Sequence, residues 1–263
     1  MGSMSFGSRS RSLLGLSFTG MLVLSTGCAF WNFSDWDDLA VAGDASVDAG
    51  VVGDSDAAAP LVLDTFTRNL ASGLGSADIG GAWDLAGLAT AFSVDGKGHY
   101  ALPPGQSISA RIFSTLPLDL DLTATYSIAQ IPDSACYLNL KARVKTDDSY
   151  SLSLRISKTE SPRLKFETKA NQSLAQALVP SISNAAGAEI ILRFQVSGAN
   201  PTKLRGKAWN KGSTEPAWLV EVDQGDTALQ TAGGVSFGGY VTPVTGLPDT
   251  NVSVDDFTVR PLK

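Results

Sequence analysis

A single histidine, His99, and only two cysteines, Cys28 and Cys136, stand among 263 residues. One imidazole excludes a histidine-based metal triad, and no serine or cysteine nucleophile has a patterned set of partners. Two cysteines cannot build the disulfide framework that staples small secreted domains. No apolar run approaches the roughly 18 residues of a membrane-spanning helix; the most apolar stretch, residues 13–24, is too short. Phosphate-loop and zinc spacings are absent, and no segment repeats at a fixed period, which excludes a solenoid or a propeller.

Turn formers and alternating strands are plentiful instead. The 26 Gly and 12 Pro, with many Ser and Thr, suit frequent chain reversals. Leu138, Leu140, Ala142 and Val144 alternate with Asn139, Lys141, Arg143 and Lys145. Tyr150, Leu152, Leu154 and Ile156 alternate with Ser151, Ser153 and Arg155. Leu164 and Phe166 stand against Arg163, Lys165 and Glu167, Leu192, Phe194 and Val196 against Arg193 and Gln195, and Leu204, Gly206 and Ala208 against Arg205, Lys207 and Trp209. Period-two alternation marks strands with one dry and one wet face. These five strands are expected to form one antiparallel sheet with a strongly basic wet face. Length and pattern together predict one large all-β domain of sandwich or barrel type.

The net charge of −6 hides a segregation. Residues 29–60 carry seven Asp and no Lys, Arg or Glu. Residues 137–211 carry thirteen Lys or Arg against five Asp or Glu. That polarity reads either as a field aimed at an anionic partner or as a solvated sheet face.

Arg9 and Arg11 precede the apolar stretch 13–24, and Ser25, Thr26 and Gly27 lead to Cys28, the order of a secretory signal. The Gly27-Cys28 ending resembles a bacterial lipobox, with Leu24 one position earlier than the usual pattern and Ser25 in its place. The resemblance implies a signal peptide over 1–27, lipidation of Cys28 and, with Ala29 following, an address at the outer membrane. Several acyl chains on one cysteine anchor durably, at about 0.8 kcal/mol per buried CH₂. Lipid on Cys28 leaves Cys136 alone, and it reads as a small buried hydrophobe. Residues 28–60 read as a disordered acidic tether: Trp31, Phe33 and Trp36 open it, and Ala, Gly, Val, Ser and Asp follow with no periodic apolar face. Its reach is about 30 Å as a random coil.

In the remaining domain, 61–263, strands are expected at 61–68, 89–94, 100–102, 106–113, 118–125, 217–223, 235–241 and 251–259, with Asp95-Gly96 and Lys97-Gly98 in a hairpin turn. The alternation leaves 171–179 open between helix and strand. The runs Phe194-Gln195-Val196, Leu204-Arg205-Gly206-Lys207-Ala208-Trp209 and Glu215-Pro216-Ala217-Trp218 resemble the concanavalin A-like lectin/glucanase superfamily. The ending Val252-Ser253-Val254-Asp255-Asp256-Phe257-Thr258-Val259 and the opening Asp64-Thr65-Phe66-Thr67-Arg68 extend the likeness over essentially the whole domain. The resemblance implies a two-sheet antiparallel jelly roll of laminin-G-like type.

It also implies three kinds of site. A concave face holds carbohydrate in such folds, and here Trp209 with Arg205 and Lys207, and Tyr137 with Asn139, Lys141 and Arg143, would line a basic groove suited to uronic or sulfated sugars. The plainer reading is a wetted face with a tryptophan at its edge. Trp83 and Trp218, in phase with apolar residues, are expected in the core. A structural Ca²⁺ near the paired first and last strands would take Asp64, Asp255 and Asp256 as hard ligands, the alternative being solvated or turn-capping acids. Val252 and Val254 keep one phase and Phe257 and Val259 the other, so a bulge is expected at Asp255-Asp256. Finally, Glu221, Asp223 and Asp226 imitate the Glu-x-Asp-x-x-Glu strand of glucanases, although Asp226 is short and Gln224-Gly225 reads as a turn. The expected function is a non-catalytic, surface-displayed polysaccharide binder, with a structural or protein-binding lipoprotein and a glycoside hydrolase as alternatives. A basic face also suits nucleic acid, but an export signal argues against that partner.

Overall fold

The structure is a computed structural model and describes residues 58–262 apart from 147 and 169–172. The signal, Cys28 and the tether up to residue 57 lie outside the described residues. In chain order the strands are β1 (Val62–Asp64), β2 (Asn69–Leu70), β3 (Asp84–Ala86), β4 (Phe92–Asp95), β5 (Gly98–Leu102) and β6 (Ser107–Leu116). They continue with β7 (Leu120–Ile128), β8 (Cys136–Val144), β9 (Tyr150–Ile156), β10 (Arg163–Glu167) and β11 (Ser173–Leu178). The last five are β12 (Ile190–Ser197), β13 (Thr202–Asn210), β14 (Val220–Gln224), β15 (Gly233–Val241) and β16 (Thr250–Pro261). Residues 173–178 thus resolve the open choice as a strand, and Asp95 to Gly98 close the β4–β5 hairpin.

The strands form two sheets. The front sheet has seven, in the order β11-β10-β9-β8-β15-β6-β3. The back sheet runs β14-β13-β12-β7-β16-β5-β4-β2, with β1 also on β16. Every strand pair is antiparallel. The five alternating strands expected in one sheet are divided, with β8, β9 and β10 in front and β12 and β13 behind. Alternation says that a strand has one dry face, but it carries nothing about which strand lies alongside.

The dry faces meet in one core. Leu138, Leu140, Leu152, Leu154, Leu164, Phe166 and Phe237 come from the front sheet, and Leu122, Tyr126, Leu192, Phe194, Val196, Leu204, Val252, Val254, Phe257 and Val259 from the back. Gly206 lets the sheets approach, since a Cβ there would lie 2.5 Å from Leu152 Cδ1 and 3.1 Å from Phe166 Cζ. Trp83 is core, as expected, with its ring centroid 4.8 Å from that of Phe237 and 5.2 Å from that of Phe257. Trp218 is not. It is only partly covered and stands over Lys207 on the outer side of the back sheet.

The bulge in the last strand is present. The register of β16 on β7 jumps between Asp255 and Thr258, and Asp256 has φ 51°. The jump turns Val252, Val254, Phe257 and Val259 all inward. It also splits the strand's free side: β5 pairs with 250–254, and β1 with 257–259.

Candidate glycan groove

On the outer side of the front sheet the polar half of each alternation is displayed. With Leu138, Leu140 and Ala142 of β8 pulled into the core, Tyr137, Asn139 and Lys141 point the other way. Register extends this to neighbouring strands. Lys141 is flanked by Ser151 on β9 and Ser236 on β15, with Glu167 and Arg111 one strand further out. Asn139 is flanked by Ser153 and Gly238, then Lys165 and Ser109. Tyr137 lies beside Tyr240, their ring centroids 6.0 Å apart, and Tyr240 pairs in turn with Ser107.

These side chains border a groove of about 460 Å³ lined by Tyr137, Asn139, Lys141, Ser151, Ser153, Lys165, Glu167 and Tyr240, among others. Lys165 Nζ pairs with Glu167 Oε1 at 2.6 Å and sits 5.2 Å from the centre of the Tyr137 ring. On the same face Arg155 forks onto Glu160 at 2.7 and 2.6 Å, and Arg111 meets Asp84 at 3.1 Å. Three buried polar atoms here have no partner among the described residues: Asn139 Oδ1, Ser153 Oγ and Arg111 Nε. Buried polar atoms are nearly always bonded, so unmet ones on a groove floor are places for ligand or water. Lys141 makes no hydrogen bond or ion pair among the described residues. Burial and the charge of Arg111 lower its pKa from the ordinary lysine value, while Glu167 pulls the other way.

The structure splits the residues expected to form one basic groove. Tyr137, Asn139 and Lys141 line it; Arg143, Trp209, Arg205 and Lys207 do not. Arg143 belongs to the same alternation, yet its φ of 51° and a register shift of β15 on β8 turn it inward, where it is fully buried. Its guanidinium donates to Thr202 Oγ1 (2.7 Å) and to the carbonyls of Leu229 (2.9 Å), Leu118 (3.0 Å) and Gly198 (2.6 Å). It ties loops of the two sheets together. Arg205, Lys207 and Trp209 lie on β13, on the outer side of the back sheet and so on the opposite surface of the sandwich. There Lys207 is nearly covered, 4.2 Å from the Trp218 ring and 2.8 Å from Glu215, and Arg205 pairs with Glu221 at 3.0 Å.

The expected calcium ligands are not brought together. Asp64 does stand opposite Phe257, because the end strands pair, but its carboxylate is fully buried and already engaged. It accepts from Arg68 Nη1 (2.7 Å), Arg68 Nη2 (2.8 Å), Trp83 Nε1 (2.7 Å) and Phe66 N (2.9 Å). Asp256 faces Lys211 at 3.4 Å, and burial raises the pKa of Asp255, with Asp256 adding to it. No group of three or more His, Cys, Asp or Glu able to hold a metal occurs among the described residues. The glucanase-like trio is also dispersed into other work. Glu221 pairs with Arg205 and Asp223 with Lys203 across the β13–β14 ladder, and Asp226 caps the short 3₁₀ turn Thr227–Leu229. All three sit on or beside the back sheet's edge strand, away from the groove.

Sequence reasoning missed Tyr240, Ser107, Ser149, Ser151, Ser153, Lys165, Glu167 and Thr168 as groove residues. Lys165 and Glu167 carried a signal, since they share the wet face of their strand. Tyr240 carried none that could be used, because its place beside Tyr137 depends on β15 inserting between β8 and β6.

No family model and no curated protein matches this chain. Solved structures do. A β-1,3-glucanase from Mycobacterium marinum superposes with TM-score 0.51 at 11% identity, covering 76% of this chain and 98% of that one. Bacillus licheniformis β-glucanase gives 0.50 at 10% identity, over 76% and 97%. A xylan β-1,4-xylosidase from Bacillus halodurans C-125 gives 0.51 at 12% identity, over 75% of this chain and 38% of that one. The likeness is one of backbone architecture, and it matches the two-sheet topology described above: this chain has an antiparallel two-sheet jelly-roll fold, as these glucanases do.

Proposed function

We propose that this protein holds polysaccharide in the groove of its front sheet without cleaving it, displayed from a membrane by lipid on Cys28 and the acidic tether. The observation that carries the reading is the groove floor, where Asn139 Oδ1 and Ser153 Oγ lack partners beside the paired rings of Tyr137 and Tyr240. Rings offer flat apolar surface to the faces of a sugar, and the orphaned polar atoms offer bonds to its hydroxyls. The glucanases and the xylosidase named above share the fold and act on glycans by name, which agrees with a sugar-related role.

The absence of hydrolysis rests on the carboxylates. Glycoside hydrolysis generally needs two acidic groups, about 5 Å apart or 6.5–9.5 Å apart. Glu167 is the single carboxylate among the described residues lining the groove, and it is held by Lys165. The Gly27-Cys28 ending and the seven Asp of residues 29–60 support export, anchoring at the outer membrane and a stand-off from it.

A glycan array probed with the lipid-free chain from Ala29 tests the reading. Retention on at least one polysaccharide, weakened about tenfold or more by Tyr137→Ala or Asn139→Ala, is expected, each change removing about 1–2 kcal/mol of contact. Failure to bind any polysaccharide would leave a structural or protein-binding surface protein, and binding indifferent to both changes would take the sugar site away from this groove. Release of reducing ends from a bound glycan would overturn the non-catalytic part alone.

A further inference from the structure

We infer that Lys141 makes the groove selective for acidic glycans, by pairing with a carboxylate or sulfate carried on the sugar. The inference rests on the reading of the groove as a polysaccharide site and adds the substrate class.

The argument is a balance of charges on one face. The front sheet displays five cations around the groove: Arg111, Lys141, Arg155, Arg163 and Lys165. Arg111 is paired with Asp84, Arg155 with Glu160 and Lys165 with Glu167. Arg163 donates to Gln176 Oε1 at the sheet's outer edge. Lys141 alone, among these described cations, makes no salt bridge and no hydrogen bond; Glu167, one strand beyond Ser151, attracts it but is itself bridged by Lys165. It is also the most central, on the middle strand of the seven. Its flanking residues, Ser151 and Ser236, are small and nearly covered.

A lysine in that position is costly for the free protein. The ammonium loses part of its water and Arg111 repels it from the same row, effects that Glu167 on the other side offsets only in part. A neutral sugar offers hydroxyls, which replace the lost hydration only in part. An anionic group offers a charge-assisted bond and relieves the repulsion as well. Two residues along the same strand, Asn139 Oδ1 is left for a hydroxyl donor, and Ser153 Oγ beside it for another. Alternate residues of a strand lie about 6.6 Å apart, so one anion contact and the hydroxyl contacts fall within the span of one or two sugar units. The site therefore reads charge at Lys141 and hydroxyl pattern at Asn139 and Ser153.

The test uses oligouronates, namely oligogalacturonate, oligomannuronate and oligoglucuronate, each beside its own methyl ester, so that backbone and ring stay the same and only the charge is capped. The lipid-free chain from Ala29 should hold at least one acid form tenfold or more tighter than its ester. Lys141→Met should erase that difference by bringing the acid form down to the affinity of its ester, and Lys141→Arg should keep part of it. Sulfated oligosaccharides beside their desulfated forms give the same comparison for the other anion. Equal binding of acid and ester, lost on Tyr137→Ala, would overturn this inference and leave the polysaccharide site standing. An acid preference that survives Lys141→Met would overturn it too, and assign selectivity to the general positive field. Failure to bind any glycan, neutral or acidic, would remove both. A melting curve for each variant separates loss of contact from loss of fold.

Discussion

Two buried ionic groups show how much a single side chain can hold here. Arg143 is fully buried and makes no salt bridge among the described residues, although Asp119 attracts it from nearby, and its charge is spread over one hydroxyl and three carbonyls drawn from separate loops. Arg143→Met keeps the stem but strips the donors from Thr202 Oγ1 and the three carbonyls, of which the buried Leu229 has water least within reach. A loss of about 3 kcal/mol or more is expected in urea unfolding, since each stranded group costs about 1–3 kcal/mol. Asp64 is the reverse case, an anion wrapped by Arg68, Trp83 and a backbone N–H. Asp64→Asn removes the charge from a buried pair and should cost about 3 kcal/mol, toward the lower end because Arg68 keeps a quarter of its side chain in water. Unfolding in Ca²⁺ and in chelator should give the same midpoint for this protein, because the Asp64 carboxylate is already saturated by protein donors. Cys136 is buried as a plain hydrophobe, and burial pushes its thiol up to about 12 from an ordinary 9.0. The folded thiol therefore resists alkylation at pH 8 until the domain unfolds. The sign of the linkage follows: the unfolded thiol ionises first, so stability falls as pH rises from 9 toward 12. Cys136→Ala should flatten that part of the stability curve.

At the scale of elements, the strand that matters most for the groove is β15. It inserts between β8 and β6, and its glycines keep the floor flat: Gly238 sits beside Asn139, and a Cβ there would meet Ile108 O at 2.2 Å. Backbone cannot swing aside as a side-chain end can, so Gly238→Ala should cost about 1–3 kcal/mol by overpacking. Denaturant midpoints check this. Two irregular residues set the other elements. Asp256, in the left-handed region, re-phases β16, and the double valine rhythm around it announces the shift beforehand. Arg143 has the same kind of backbone, but nothing in its rhythm gives it away. Val144 is buried at the next position and so is Ala142 before it, and only the long-range register on β15 explains why the arginine turned inward. That is why three of four candidates on β8 lie in the groove and the fourth does not.

Over the whole molecule, the sandwich presents two unlike surfaces. The front carries a groove whose floor has polar atoms, and a lysine, without bonded partners among the described residues. The back carries Arg193, Lys207, Trp209 and Trp218 in a closed set of contacts with Asp121 and Glu215. Arg193 is so tightly held by Asp121 that its pKa rises well above the ordinary arginine value. Trp209→Ala is therefore expected to leave glycan binding within about twofold of wild type while lowering thermal stability, read by array titration and a melting curve. Binding of an acidic glycan at the front should weaken as salt rises from 0.05 to 0.5 M, since exposed charge attraction is screened over about 10 Å at 0.1 M.

Composition and alternation were enough to determine an all-β domain of sandwich or barrel type, its approximate strands, the inward role of Trp83, the bulge in the last strand and the basic character of the strands between 137 and 211, and the likeness to a known jelly roll chose the sandwich. These are local properties: a side-chain period, a turn residue or a phase switch acts over a few neighbours. Tertiary pairing alone decided that β8 to β10 and β12 to β13 lie in different sheets, and hence that Tyr137 and Trp209 look out from opposite surfaces. It also decided which charges cancel. A row of lysines and arginines has the same rhythm whether each has found an acid or not, and the acids that neutralise them come from near in the chain, as Glu160 does for Arg155, and from far, as Asp121 does for Arg193. Only folding revealed that Lys141 is left over.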